Sequence, residues 1–214
     1  MDKYEDKLGN YIVKIAKNAL SAEQQAEISC LLSAIGDFER LSDHAANLSE
    51  VAQEIHEKKV VFSDVATREI RLMIDAVTEI VELACDAFVN SDREESRKVD
   101  PLEEIIDEVC KRLRAHHIER LQNSDCTILM GFIFNDLLTN LERISDHCSN
   151  IAFSVQHHYN ANAEEHNYAE HLSTSPAFRS GLEVYKHKYL ERVDALGAPA
   201  EEEPEKTVAA RTQV

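Results

Sequence analysis

The segment DFERLSDHAAN (Asp37–Asn47) returns as NLERISDHCSN (Asn140–Asn150), at a constant offset of 103 residues. Six of the eleven positions are identical: Glu, Arg, Ser, Asp, His and Asn. Both copies lie in segments whose apolar residues recur every three or four positions, the spacing of a helix with one buried face. In the first, Ile28, Leu31, Leu32, Ile35, Phe38, Leu41 and Leu48 make a single stripe. A repeat at long, fixed offset reads as a duplicated structural unit. The chain should therefore be two related helical bundles.

The turn residues agree. Only 5 Gly and 4 Pro occur in 214 residues, which favours few, long helices. The spacing predicts helices near 2–19, 22–57, 64–90, 101–121, 125–158 and 177–195. Ser21 with Gln24 reads as a capping box, as does Asp100 with Pro101 and Glu103. Ser63-Asp64, Ser124-Asp125 and Ser175-Pro176 mark further starts. Ile35, Phe38, Leu48, Leu137, Leu141, Ile144 and Ile151 are the expected core.

These boundaries divide the chain. Residues 1–60 form a first unit of two helices, and 61–160 a second of three. Residues 161–196 form a polar connection with a last helix, and 197–214 a disordered acidic tail. By the offset, the first unit lacks its opening helix and should leave an apolar groove. Either helix 177–195 or another chain should cover it.

Charge narrows the partners. A formal charge of −17 with no basic stripe argues against a nucleic-acid partner. The five cysteines are scattered, form no CxxC and read as reduced thiols, not as a disulfide framework. MDKYEDKLGN is charged from its second residue, unlike a signal peptide. The most apolar window, CTILMGFIFNDLL, is too short for direct membrane insertion.

The repeated motif carries the chemistry. Four residues apart on a helix, Glu39 and Asp43 share a face, as do Glu142 and Asp146. Like charges at this spacing repel by a few tenths of a kcal/mol when exposed, and by more when half buried. A hard cation between them would relieve that repulsion, and Mg²⁺, Ca²⁺, Mn²⁺ or iron accept such oxygen ligands. The neighbouring helix adds Glu103 and Asp107 at the same spacing, and Glu5 stands at the matching place in the first copy. Gly9 stands where Asp107 would have its counterpart. The plainer readings are a solvated acidic face, or ion pairs with Arg40 and Arg143; Glu103 has a rival role in its capping box. His44 and His147 follow the motif aspartates and read as core-edge histidines. His157, His158, His166 and His171 read as incidental.

ERLSDHAAN and ERISDHCSN resemble the motif of the PhoU family, an ER-I-G-D…N helix carried once per three-helix bundle. Ser42 and Ser145 stand where that family often has Gly. The likeness covers residues 2 to about 158. DKYEDKLGNYIVKIA with IGDFERLSDHAANLSEVA resembles more narrowly the C-terminal cytoplasmic PhoU-like domain of bacterial sodium/phosphate cotransporters. The resemblance implies an all-α fold of two tandem antiparallel three-helix bundles, the first lacking its opening helix. It implies metal (iron, zinc, manganese or magnesium) at Glu39, Asp43, Glu142 and Asp146, with Glu103, Asp107 and Glu5 as further ligands. It also implies a regulatory, non-enzymatic role in phosphate uptake at the cytoplasmic side of the inner membrane. The partner would be the membrane transport domain of the same protein or a separate phosphate transporter, and a homo-oligomer is compatible. A stand-alone regulator acting by protein–protein interaction is the alternative. A ferritin-type di-iron enzyme would need Glu-x-x-His pairs, and no Glu in this chain has a His three residues later.

Overall fold

The computed structural model describes residues 2–157 and 175–197, and among them every regular element is helical. The helices are α1 (Asp2–Ala16), α2 (Ala22–Glu57), α3 (Asp64–Asn90), α4 (Arg93–Ser96), α5 (Val99–Gln122), α6 (Ile128–His157), α7 (Pro176–Tyr185) and α8 (Glu191–Gly197). A π-helical turn, Lys186–Leu190, joins the last two. No described helix is long and apolar enough to cross a membrane. Residues 158–174, with His158, His166 and His171, and the expected tail from 198 onward lie outside the described residues. So does the His157 side chain.

Three of the expected starts form as capped helices. The Ser21 hydroxyl accepts from Gln24 N–H at 3.2 Å, and Gln24 Oε1 accepts from Ser21 N–H at 3.0 Å. Each side chain satisfies a backbone donor that the first helical turn leaves without a partner. Ser63 accepts from Ala66 N–H, and Ser175 accepts from Phe178 N–H with Pro176 in the first turn.

Two expected starts fail, for local reasons. Asp100 is not the N-cap, because α4 runs almost directly into α5, which begins at Val99 behind a Lys98 N-cap without a side-chain bond. The cap of that run is Asp92, whose Oδ1 accepts from Glu94 and Glu95 N–H. Asp100 instead accepts from the Ser149 hydroxyl at 3.0 Å. Ser124 has φ 62° and belongs to the turn after α5; α6 starts at Ile128, where Thr127 Oγ1 accepts from Met130 N–H. Glu103 is thereby released from its capping role.

The core lies in the second unit. Leu102, Ile106, Leu113, Met73, Ile80, Leu138 and Ile151 are sealed between α3, α5 and α6, with Leu141 and Ile144 beside them. A smaller cluster of Val51, Ile133 and Leu137 joins α2 to α6. Ile35, Phe38 and Leu48 are only half buried, and Leu31 and Leu32 are exposed. The reason is its neighbours: among the described residues α2 packs along α6 on one side and α1 on another, and no further helix covers the rest of its stripe.

The last helices do not fill that groove. They pack on the second unit, against α3 and α5. Gly181 sits so close to Pro101 that an added Cβ would come within 3.1 Å of its ring. Glu79 of α3 takes both Lys188 and the Tyr189 hydroxyl, and Arg112 of α5 pairs with Asp194. The α1 stripe of Tyr4, Leu8, Tyr11 and Ile15 remains exposed, Tyr4 at 68% and Tyr11 at 63%, with Ile12 the buried contact to α2.

Candidate metal centre

On α5, residues four apart stack on one face, so Glu103 and Asp107 point together toward α6. There Asp146 meets them: one carboxylate oxygen from each lies within 4.8 Å of the others. All three are half buried. Burial, and then the charges of Asp107 and Asp146, push the Glu103 carboxyl up to about 7. Asp107 is raised too, by burial and then by Glu142 and Asp146, with Lys111 and Arg114 only partly offsetting them. Asp107 Oδ1 is buried without a hydrogen-bond partner. A buried acceptor without a donor is costly, and a cation there would supply the missing partner. The three-carboxylate, oxygen-only donor set fits a hard ion such as Mg²⁺, Mn²⁺ or Ca²⁺, or iron. It suits zinc less well, since zinc sites are usually built from Cys and His.

Glu142 lies at the edge of this cluster. Its carboxylate is held by Arg114, at 2.8 Å from Nη2 and 3.3 Å from Nη1. Arg114 also donates to Thr139 and Asn135, so the guanidinium is fixed. The charge of Glu142 still reaches Asp107. Asp146 faces the cluster while accepting from Arg143 at 3.0 Å.

The first unit repeats the arrangement with a different third member. Asp2, Glu39 and Asp43 each bring an oxygen within 4.8 Å of the others. Burial and the Asp43 charge raise the Glu39 carboxyl, and Glu5 and Asp2 add to the effect, so Glu5 stands near without completing the trio. Gly9 leaves open space where Asp107 has its counterpart, with nothing within 4 Å of an added Cβ. Asp2 was not among the expected ligands. Its signal lay in DKYED, where Asp2 stands one turn before Glu5.

The motif's other polar residues have a separate task. His147 Nδ1–H donates to Asp37 Oδ1 at 3.0 Å, and Asn150 donates to the same atom at 3.2 Å. At the positions related by the offset, His44 Nδ1–H and Asn47 both donate to Asn140 Oδ1, at 2.9 and 3.2 Å. The two imidazoles stack at 5.6 Å. The repeat thus clamps α2 to α6 with near two-fold symmetry, and these histidines are engaged away from the two three-carboxylate clusters.

Residues 70–155 match the model of the PhoU domain. That span holds Glu103, Asp107, Glu142 and Asp146, and runs from α3 into the end of α6. The chain is also 26% identical over 133 residues to the phosphate-specific transport system accessory protein PhoU homolog 1 of Thermotoga maritima. The alignment covers 62% of this chain and 56% of that protein, so the chain spans about half the length of the curated relative it matches. The first unit lies outside the PhoU match, and its likeness to the second is carried by the repeat itself.

Proposed function

We propose that the chain is a metal-binding regulator of phosphate uptake. The observation that carries this reading is the orphaned Asp107 oxygen among three half-buried carboxylates, inside the PhoU-matched span. In the second unit Glu103, Asp107 and Asp146 would hold an ion, with Glu142 at its edge. In the first, Asp2, Glu39 and Asp43 would do so, with Glu5 nearby. A bound cation cancels the repulsion between α5 and α6, and between α1 and α2. It would thereby couple ion occupancy to helix placement without any covalent chemistry.

The narrower setting follows the sequence resemblance: a cytoplasmic domain of a sodium-dependent phosphate transporter, acting on the membrane domain of the same protein. The second reading is a stand-alone regulator working by protein–protein contact. It is favoured by the printed name of the Thermotoga protein, an accessory protein of a transport system.

Elemental analysis of the purified chain, before and after chelation, tests the metal. Asp107→Asn and Asp146→Asn should lower its content. Phosphate uptake measured in cells making the wild type or these variants tests the regulatory role. Unchanged metal content in both variants would remove the ion from the reading, and unchanged uptake would remove the regulation.

A further inference from the structure

Several guanidinium groups among the described residues are neutralised by carboxylates. Arg97 pairs with Glu94, Arg112 with Glu108 and Asp194, Arg114 with Glu142, Arg120 with Glu69, and Arg143 with Asp146. Three that have no ion-pair partner line a single recess: Arg68 and Arg71 on α3, and Arg192 on α8. Its volume is about 430 Å³, and Leu72, Ala195 and Leu196 form its apolar walls. Arg68 and Arg71 are three apart and so share a helix face. Three nearby acids among the described residues are committed elsewhere. Asp194 is taken by Arg112, Glu191 by His187, and Glu79 by Lys188 and Tyr189. Among the described residues, Asp75 is the one carboxylate lining the recess, against three guanidiniums.

In a chain of charge −17, three arginines facing a single aspartate around one recess are unexpected. Asp75 offsets part of their mutual repulsion, and a bound anion would offset the rest. We propose that this recess binds a multiply charged phosphoryl ligand of the oligophosphate class. Guanidinium forks match phosphate oxygens bidentately, where a lysine would act only as a point charge. The volume lies in the range of small-ligand sites and admits a chain of linked phosphates. The remaining charge of the protein repels anions, so binding must come from these arginines and not from a diffuse basic field. The site is built from α3 and α8 and stands independently of the carboxylate clusters.

The test is calorimetric titration of the full chain with tripolyphosphate, at fixed ionic strength and with chelator present so that no metal bridges the ligand. Saturable one-site binding is expected, weakened roughly ten-fold or more by Arg71→Gln and by Arg192→Gln. Arg179→Gln, at an exposed arginine on α7 outside the recess, should leave it unchanged. Circular dichroism melts of each variant show that the fold is retained. Absence of binding overturns the proposal, and so does equal weakening by Arg179→Gln, which would mean diffuse attraction.

Discussion

Asp37 on α2 receives the His147 Nδ1–H from α6 at 3.0 Å, and the same oxygen also receives Asn150. Asp37 is buried, so removing it strands two donors at a helix interface. Asp37→Ala should lower stability by roughly 1–3 kcal/mol, read from denaturant melts. In a double-mutant cycle with His147→Ala the losses should fall short of additive. Full additivity would mean that the clamp is only a crossing of side chains.

Glu103 makes the protein's stability depend on pH in the absence of metal. Its folded carboxyl titrates at about 7, above its ordinary 4.5, so between those values the folded state holds the proton more tightly. Stability in chelator should therefore fall as pH rises from 4.5 to 7 and stay lowered above it. Glu103→Gln should flatten this slope and stabilise the metal-free protein at pH 8 by roughly 1–3 kcal/mol, after allowing for solvent screening. Parallel melting profiles for parent and variant would show that the carboxylates do not feel one another.

Metal should invert the sign of the motif substitutions. In chelator, Asp43→Asn and Asp146→Asn remove repulsion and should leave Tm unchanged or slightly raised. With added Mn²⁺ or Mg²⁺ the parent gains stability by binding an ion only when folded. The variants should then melt below it. An ordinary surface ion pair predicts little effect under either condition.

The two halves of the apolar pattern should differ in energy. Leu141 is 4% exposed, and Leu141→Ala should cost about 2–5 kcal/mol through cavity formation. Leu31 sits on the same kind of stripe but is 37% exposed, and Leu31→Ala should cost under about 1 kcal/mol. Equal losses would mean that the first unit has a covered face.

Local chemistry was legible from residues alone. The three-to-four spacing of apolar side chains yields α2, α3, α5 and α6 because each buries one stripe. Ser21, Ser63 and Ser175 start helices because their hydroxyls reach backbone donors only three residues away. The stacking of Glu39 on Asp43, and of Glu142 on Asp146, is likewise set within one helical turn. Tertiary structure decided everything that depends on a neighbour distant in sequence. Asp100 turned to Ser149, Glu142 to Arg114, and Asp2 joined Glu39 and Asp43, because packing placed those partners within reach. The last helices chose α3 and α5, where Pro101 meets Gly181 and Glu79 meets Lys188, and left the α1 stripe in water. Periodicity says which face is apolar. Which surface covers it is settled by shape and charge on other helices, and no local spacing encodes that.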